Sequence, residues 1–195
     1  MQFSVSLPEW AEQRLETMRG QIYETLEARM KPVIEFSRLN FEHDTGGPFA
    51  AGIYERESGK LLVIGVNRVV PTNMSSAHAE VVAISVAQNM LQTFDLGGKG
   101  LPAYQLVVNW RPCAMCYGAI PWSGIRSLVI AGSGKELEDL TGFDEGPIHP
   151  NWKAELEKRG IDVTENILND EAIAVFRDFA NSDRLVYNGR LGDDD

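Results

Sequence analysis

Only two cysteines occur in this chain of 195 residues, and they stand close together as Cys113 and Cys116, directly behind Pro112. Proline suits the first turn of a helix, because its φ is already helical and the N–H it lacks would go unbonded there. A helix is therefore predicted to open at Pro112 and to run to about Ile120, before Pro121. The β-branched run Leu106-Val107-Val108 just upstream reads as an interior strand. A disulfide between cysteines this near would close a tiny loop and stabilise little. Free thiols in a CxxC at a helix start read instead as redox or metal chemistry. The fold must thus deliver a strand into a helix whose first turn presents two thiols on one side.

The rest of the pattern supplies more strands and helices. Residues 8–39, rich in Glu, Arg, Leu and Met, fit two helices broken near Gly20 or at Pro32. The turn signal Thr45-Gly46-Gly47-Pro48 leads into apolar runs at 49–54 and 61–66, separated by Glu57-Ser58-Gly59-Lys60, which reads as a β-hairpin. Ser75-Ser76-Ala77 is a plausible cap region before a buried helix reaching residue 91. Residues 127–131 and 161–163 read as further strands, and 152–159 and 169–180 as helices. Strands alternating with helices give an α/β layer fold. No linker divides the chain, so residues 1–195 are expected to form one domain: N-terminal helices at 1–42, a core at 46–165, and a C-terminal helix and tail at 166–195 expected to close over it.

Net charge narrows the partners. Asp and Glu number 28 against 18 Lys and Arg, a formal charge of −10. A protein that worked on phosphate backbones should carry the opposite sign, so nucleic acid is disfavoured as the main partner. No segment resembles a secretory signal or approaches the 18 or so apolar residues of a membrane span, and the chain reads as cytoplasmic.

His78 joins the two cysteines as a third zinc-binding residue type. Two thiolates and an imidazole make a neutral three-ligand set for Zn²⁺, and three ligands leave the fourth tetrahedral position for water, as in catalytic sites. Glu80, two residues beyond His78, would lie on the opposite face in mid-helix. Both reach one metal site only if they occupy the first turn, and there Glu80 would neighbour the ion without binding it, placed to move protons. Each element alone has a plainer explanation: a single His capping a helix, a redox CxxC, a chance HxE. A structural zinc site would normally show a fourth Cys or His, whereas His43 and His149, the remaining histidines, lack ligand spacing to the cluster. HxE followed by PCxxC, in that order, is the zinc deaminase signature.

His78-Ala79-Glu80 with Pro112-Cys113-Ala114-Met115-Cys116 resembles the cytidine deaminase superfamily. The likeness is closest to its guanine deaminase branch. That closer likeness is carried by Gly46-Gly47-Pro48-Phe49-Ala50-Ala51, Asn67-Arg68-Val69-Val70-Pro71, Trp122-Ser123-Gly124-Ile125-Arg126 and Gly142-Phe143-Asp144-Glu145-Gly146-Pro147, with a weaker echo in Val186-Tyr187-Asn188. The resemblance implies a three-layer α/β/α fold with a five-stranded mixed sheet, one zinc ion per chain, and a homodimer, in some relatives with exchanged C-terminal segments. It implies hydrolytic deamination of guanine to xanthine and ammonia, with Glu80 protonating the ring and then the leaving amine. By position, Asn67 would hydrogen-bond the base, Phe49 would line its pocket, and Glu145 would assist Glu80. Asp144 and Tyr187 would also contact substrate. Physically, Asp144 and Glu145 between two glycines read equally well as solvated loop charges. Arg111 departs from the family pattern, in which an acidic residue commonly precedes the PC dipeptide. Other readings are deamination of cytosine, an aminotriazine such as ammeline, or a nucleoside; a tRNA adenosine deaminase; and a non-catalytic zinc protein.

Overall fold

A computed structural model describes residues 4–189. Its five strands, β1 (Ala50–Glu55), β2 (Leu61–Val66), β3 (Tyr104–Val108), β4 (Ser127–Ile130) and β5 (Asp162–Thr164), form one sheet in the order β2-β1-β3-β4-β5. β1 runs antiparallel to both β2 and β3, while β3, β4 and β5 are mutually parallel. The connections explain the mixture, since a short turn suffices for the β1–β2 hairpin and parallel neighbours need a crossover helix. The expected mixed five-stranded α/β sheet is present, with strand bounds shifted by one or two residues.

The helices are α1 (Glu9–Met18), α2 (Leu26–Glu42), α3 (Val69–Thr72), α4 (Ala79–Leu91), α5 (Ala114–Ser123), α6 (Glu136–Thr141), α7 (Trp152–Glu157) and α8 (Asn169–Ala180). The break in the first helical region falls after Met18, and Pro32 lies inside α2. Thr25 caps α2 by accepting from the Ala28 N–H at 3.1 Å. Met30, Val33, Phe36 and Phe41 are all buried along α2. Burial of that face outweighs the one hydrogen bond that the Pro32 ring removes. Pro121 is likewise carried inside α5, which ends at Ser123 instead of before the proline. The short helices α3 and α6 escape the sequence reading because one or two turns show no periodicity.

The sheet is covered on both faces. α2 packs against β1, β2 and β3, with Val33 against Gly52, while α4 packs against β1 and β2. Gly52 pairs with Ile64 and Ala51 with Gly65, so Gly52 and Gly65 face opposite sides of the sheet. α8 packs against α2 and α6 and closes the outer layer. At Gly65 the backbone of α4 approaches so closely that a Cβ would lie 2.5 Å from Ala83 N and 2.8 Å from Ala79 O. Both obstacles are main chain and cannot rotate away. Gly65→Ala is therefore expected to destabilise the fold by about 1–3 kcal/mol, the usual range for overpacking. At roughly 2–4 °C per kcal/mol for a domain of this size, a scanning thermal melt should resolve the loss.

Candidate active site

His78 is the N-cap of α4 and Cys113 is the N-cap of α5, and neither side chain makes a capping hydrogen bond to its own helix. Both are left to project forward. His78 Nδ1 lies 3.5 Å from Cys113 Sγ, and the ligand atoms of His78, Cys113 and Cys116 all fall within 4.8 Å of one another. Ligands at 2.0–2.1 Å and 2.3 Å from one tetrahedral zinc ion must sit about 3.5 Å apart, so the His78–Cys113 separation already fits the metal. The structure corrects one boundary, because α5 begins at Ala114 and not at Pro112. Cys113 and Cys116 still converge, since N-cap and N3 side chains meet across the first turn of a helix. Two helix N-termini thus face the cluster, and their dipoles favour thiolates.

Glu80 is the second residue of α4, in its first turn, and is buried beside the cluster. Burial and the Cys113 charge raise its pKa, against an opposing pull from His78. The Cys113 thiol is held down to about 4, chiefly by a hydrogen bond with Cys116 and also by His78, although burial opposes this. The same bond and burial push Cys116 up, so the two thiols share a proton. Burial pulls His78 down, but its bond to Cys113 and the nearby negative groups outweigh it and raise its pKa. Glu145 is buried too, and burial, then Cys113, then Glu80 push its carboxyl up to about 8. A divalent cation among these groups would reverse the field and favour both thiolates and both carboxylates.

A cavity of about 430 Å³ opens in front of the cluster. Phe49, Asn67, Asp144, Glu145 and Tyr187, the residues that the resemblance marks as substrate contacts or as an aid to Glu80, all line it. Asn67 is the most informative of these. Its Oδ1 accepts from the N–H groups of Val69 (3.2 Å) and Gly47 (3.4 Å), which turns its Nδ2 away from them. No protein acceptor meets that Nδ2 among the described residues, so the donor is available to a ligand. The Phe49 ring meets Phe143 edge to face at 5.1 Å, making an apolar wall. The Tyr187 hydroxyl is buried and has no hydrogen-bond partner among the described residues, with its ring against Phe143 at 5.0 Å. Asp144 is exposed at the rim, where its Oδ1 accepts from the Gly146 N–H at 2.8 Å.

Sequence reasoning missed part of this wall. Val70 of α3, Met74 and Phe143 line the cavity; Val70 and Phe143 sat within family motifs without being singled out, and Met74 in none. Arg111 does not simply face solvent, because it lines the cavity and its Nη1 donates to the Ser133 carbonyl at 2.8 Å. Leu185, Tyr187, Asn188 and Gly189 of the tail line the cavity, while residues 190–195 of the expected closing segment lie outside the described residues.

The family model for the cytidine and deoxycytidylate deaminase zinc-binding region matches residues 24–132. The chain belongs to this family. Its metal is zinc, and the matched segment contains all three clustered ligand types together with Glu80. The chain is also similar to the guanine deaminase of Bacillus subtilis, at 31% identity over 70% of this chain and 83% of that protein. A tRNA-specific adenosine deaminase of Buchnera aphidicola is 30% identical over 65% of this chain and 76% of that protein. Among solved structures, the guanine deaminase of Nitrosomonas europaea superposes with a TM-score of 0.87 at 46% identity, covering 92% of this chain and 96% of that one. This family member should therefore hold about one zinc per chain on elemental analysis. Cys116→Ser should lose it, because a hydroxyl replaces a thiolate ligand.

Proposed function

We propose that this enzyme is a zinc-dependent hydrolytic guanine deaminase, converting guanine and water to xanthine and ammonia. The observation that carries the reading is the free Asn67 amide and the buried Glu145 carboxyl lining one cavity with His78, Cys113 and Glu80. One hydrogen-bond donor and one carboxyl suit the polar edges of a purine base, and the aromatic wall of Phe49 and Phe143 suits its face. The near-complete superposition on the guanine deaminase of Nitrosomonas europaea supports this choice over a tRNA substrate, for which the similarity is lower and the charge of −10 is unfavourable.

His78, Cys113 and Cys116 would hold the zinc, which when bound would supply a Lewis acid that lowers the pKa of water. Glu80 would take one proton of the attacking water and deliver it to the ring nitrogen beside C2. It would then take the second proton from the oxygen now bonded to C2 and pass it to the exocyclic amine, so that the C2–N bond breaks, ammonia leaves and the C2 carbonyl of xanthine forms. The burial of Glu80 beside the ligands suits this role, because it keeps the carboxyl next to the reacting atoms and away from bulk water. Glu145 assists Glu80 in moving protons, and Asn67 Nδ2 donates to the base and fixes its orientation. Phe49, Asp144 and Tyr187 complete the contacts, with Tyr187 and Leu185 excluding water. A reducing cytoplasm suits two free thiol ligands. A homodimer is supported by the exposure of Trp122 (88%) and Phe94 (86%), with exchange of the C-terminal tail as one way to assemble it.

Ammonia release should be seen with guanine and should be much weaker with guanosine, cytosine, ammeline and adenosine in a tRNA anticodon stem-loop. Equal turnover of guanosine would overturn the free-base reading. Glu80→Gln should keep zinc and fold while turnover falls by about 10²–10⁴-fold or more, the range for general acid and base assistance. Residual activity within about tenfold of the parent would remove Glu80 from the proton path.

A further inference from the structure

Glu145 reaches the cavity from a stretch of chain without regular structure. α6 ends at the left-handed Gly142 (φ +77), and a second left-handed glycine, Gly146 (φ +71), follows immediately after Glu145. No protein hydrogen bond restrains the Glu145 carboxyl among the described residues, so its aim depends on how the backbone from 142 to 146 is held. On the downstream side the Glu145 carbonyl accepts from Ala114 N at 2.9 Å, which ties the loop to the first residue of α5. On the upstream side the restraint comes from elsewhere in the chain. Asn188 accepts at Oδ1 from the Asp144 N–H (2.9 Å) and donates from Nδ2 to the Gly142 carbonyl (2.9 Å).

A single carboxamide thus pairs with two main-chain groups in the way a neighbouring strand would. Asn188 is itself set by the tail it belongs to. Arg184 bridges to Asp44 at 2.8 Å, and the Tyr187 ring packs on Phe143 at 5.0 Å. We propose that Asn188 is a positioning residue for Glu145, fixing the loop at 142–146 so that the carboxyl is held in the cavity. This rests on the deaminase reading for the role of Glu145, but the contact itself does not. A carboxylate cannot reproduce the pairing, because it lacks the donor that Gly142 needs. An isosteric apolar side chain loses both bonds.

The test combines kinetics with hydrogen exchange on the zinc-loaded full-length protein. Guanine turnover of the parent is measured first, and its absence would count against the proposed substrate alone. Asn188→Leu is expected to lower kcat by about 10- to 100-fold, the loss that small misplacement of a catalytic group brings, while KM stays within about threefold and zinc is retained. Asn188→Asp should lie between Leu and the parent. In a Glu145→Gln background, adding Asn188→Leu should cost less than about twofold more, since residues acting as a unit are not additive. Fully multiplicative losses, or kcat within about twofold of the parent, would overturn the proposal. Hydrogen exchange of the 142–146 amides should accelerate in Asn188→Leu with or without substrate turnover, and unchanged exchange would also overturn it.

Discussion

At Gly65 the main chain of α4 comes nearer to β2 than any Cβ would permit, with Ala79 O and Ala83 N both in the way. That approach fixes where α4 begins. His78 and Glu80 stand at that beginning, so their distance from the thiols of α5 is set by how closely a helix can lie on a sheet. α5 is fixed by different means, since it follows directly from β3, an interior strand buried along its whole length. The two helix starts meet because β2 and β3 flank β1 in the same sheet. Interiors packed like crystals transmit small displacements, so a fault under α4 would shift His78 relative to Cys113, 35 residues further along the chain.

The same convergence concentrates charge. Two thiol groups, two carboxyls and an imidazole lie within one small volume, largely removed from water. Without a cation, burial and mutual repulsion drive both carboxyls toward their protonated forms, with Glu145 reaching about 8. The metal therefore completes the electrostatics of the site as well as its chemistry. Such a cluster would be a poor stabilising device, because unpaired charges are costly to bury. Its presence is accounted for by the reaction.

The remaining walls show how a site can be finished by chain that contributes little to the core. Asn67 is oriented by main-chain N–H groups of Gly47 and Val69, so its free donor is a product of the turn around it. Glu145 is presented by a loop tied at one end to α5 and at the other to Asn188. Aromatic packing of Phe49, Phe143, Phe176, Phe179 and Tyr187 joins that loop to the outer helix layer and to the tail. Precision at the chemistry thus depends on hydrogen bonds to backbone and on ring contacts, both short in range and sensitive to small shifts.

The chemical class was legible in residues that carry it directly. His78, Glu80, Cys113 and Cys116 are scarce types at narrow spacing, and metal chemistry admits few substitutes. The alternation of apolar runs likewise disclosed the sheet, because burial imposes a period that sequence displays. Pro32 and Pro121 misled at helix ends, since the packing of long apolar faces overrode a local preference that sequence alone can read. Short α3 and α6 left no period to detect. Which carboxylate of Asp144 and Glu145 enters the cavity, which end of Asn67 faces the ligand, and whether Arg111 points inward could not be read from the chain. Each is decided by hydrogen bonds between segments far apart in sequence, and those exist only once the sheet has brought the segments together.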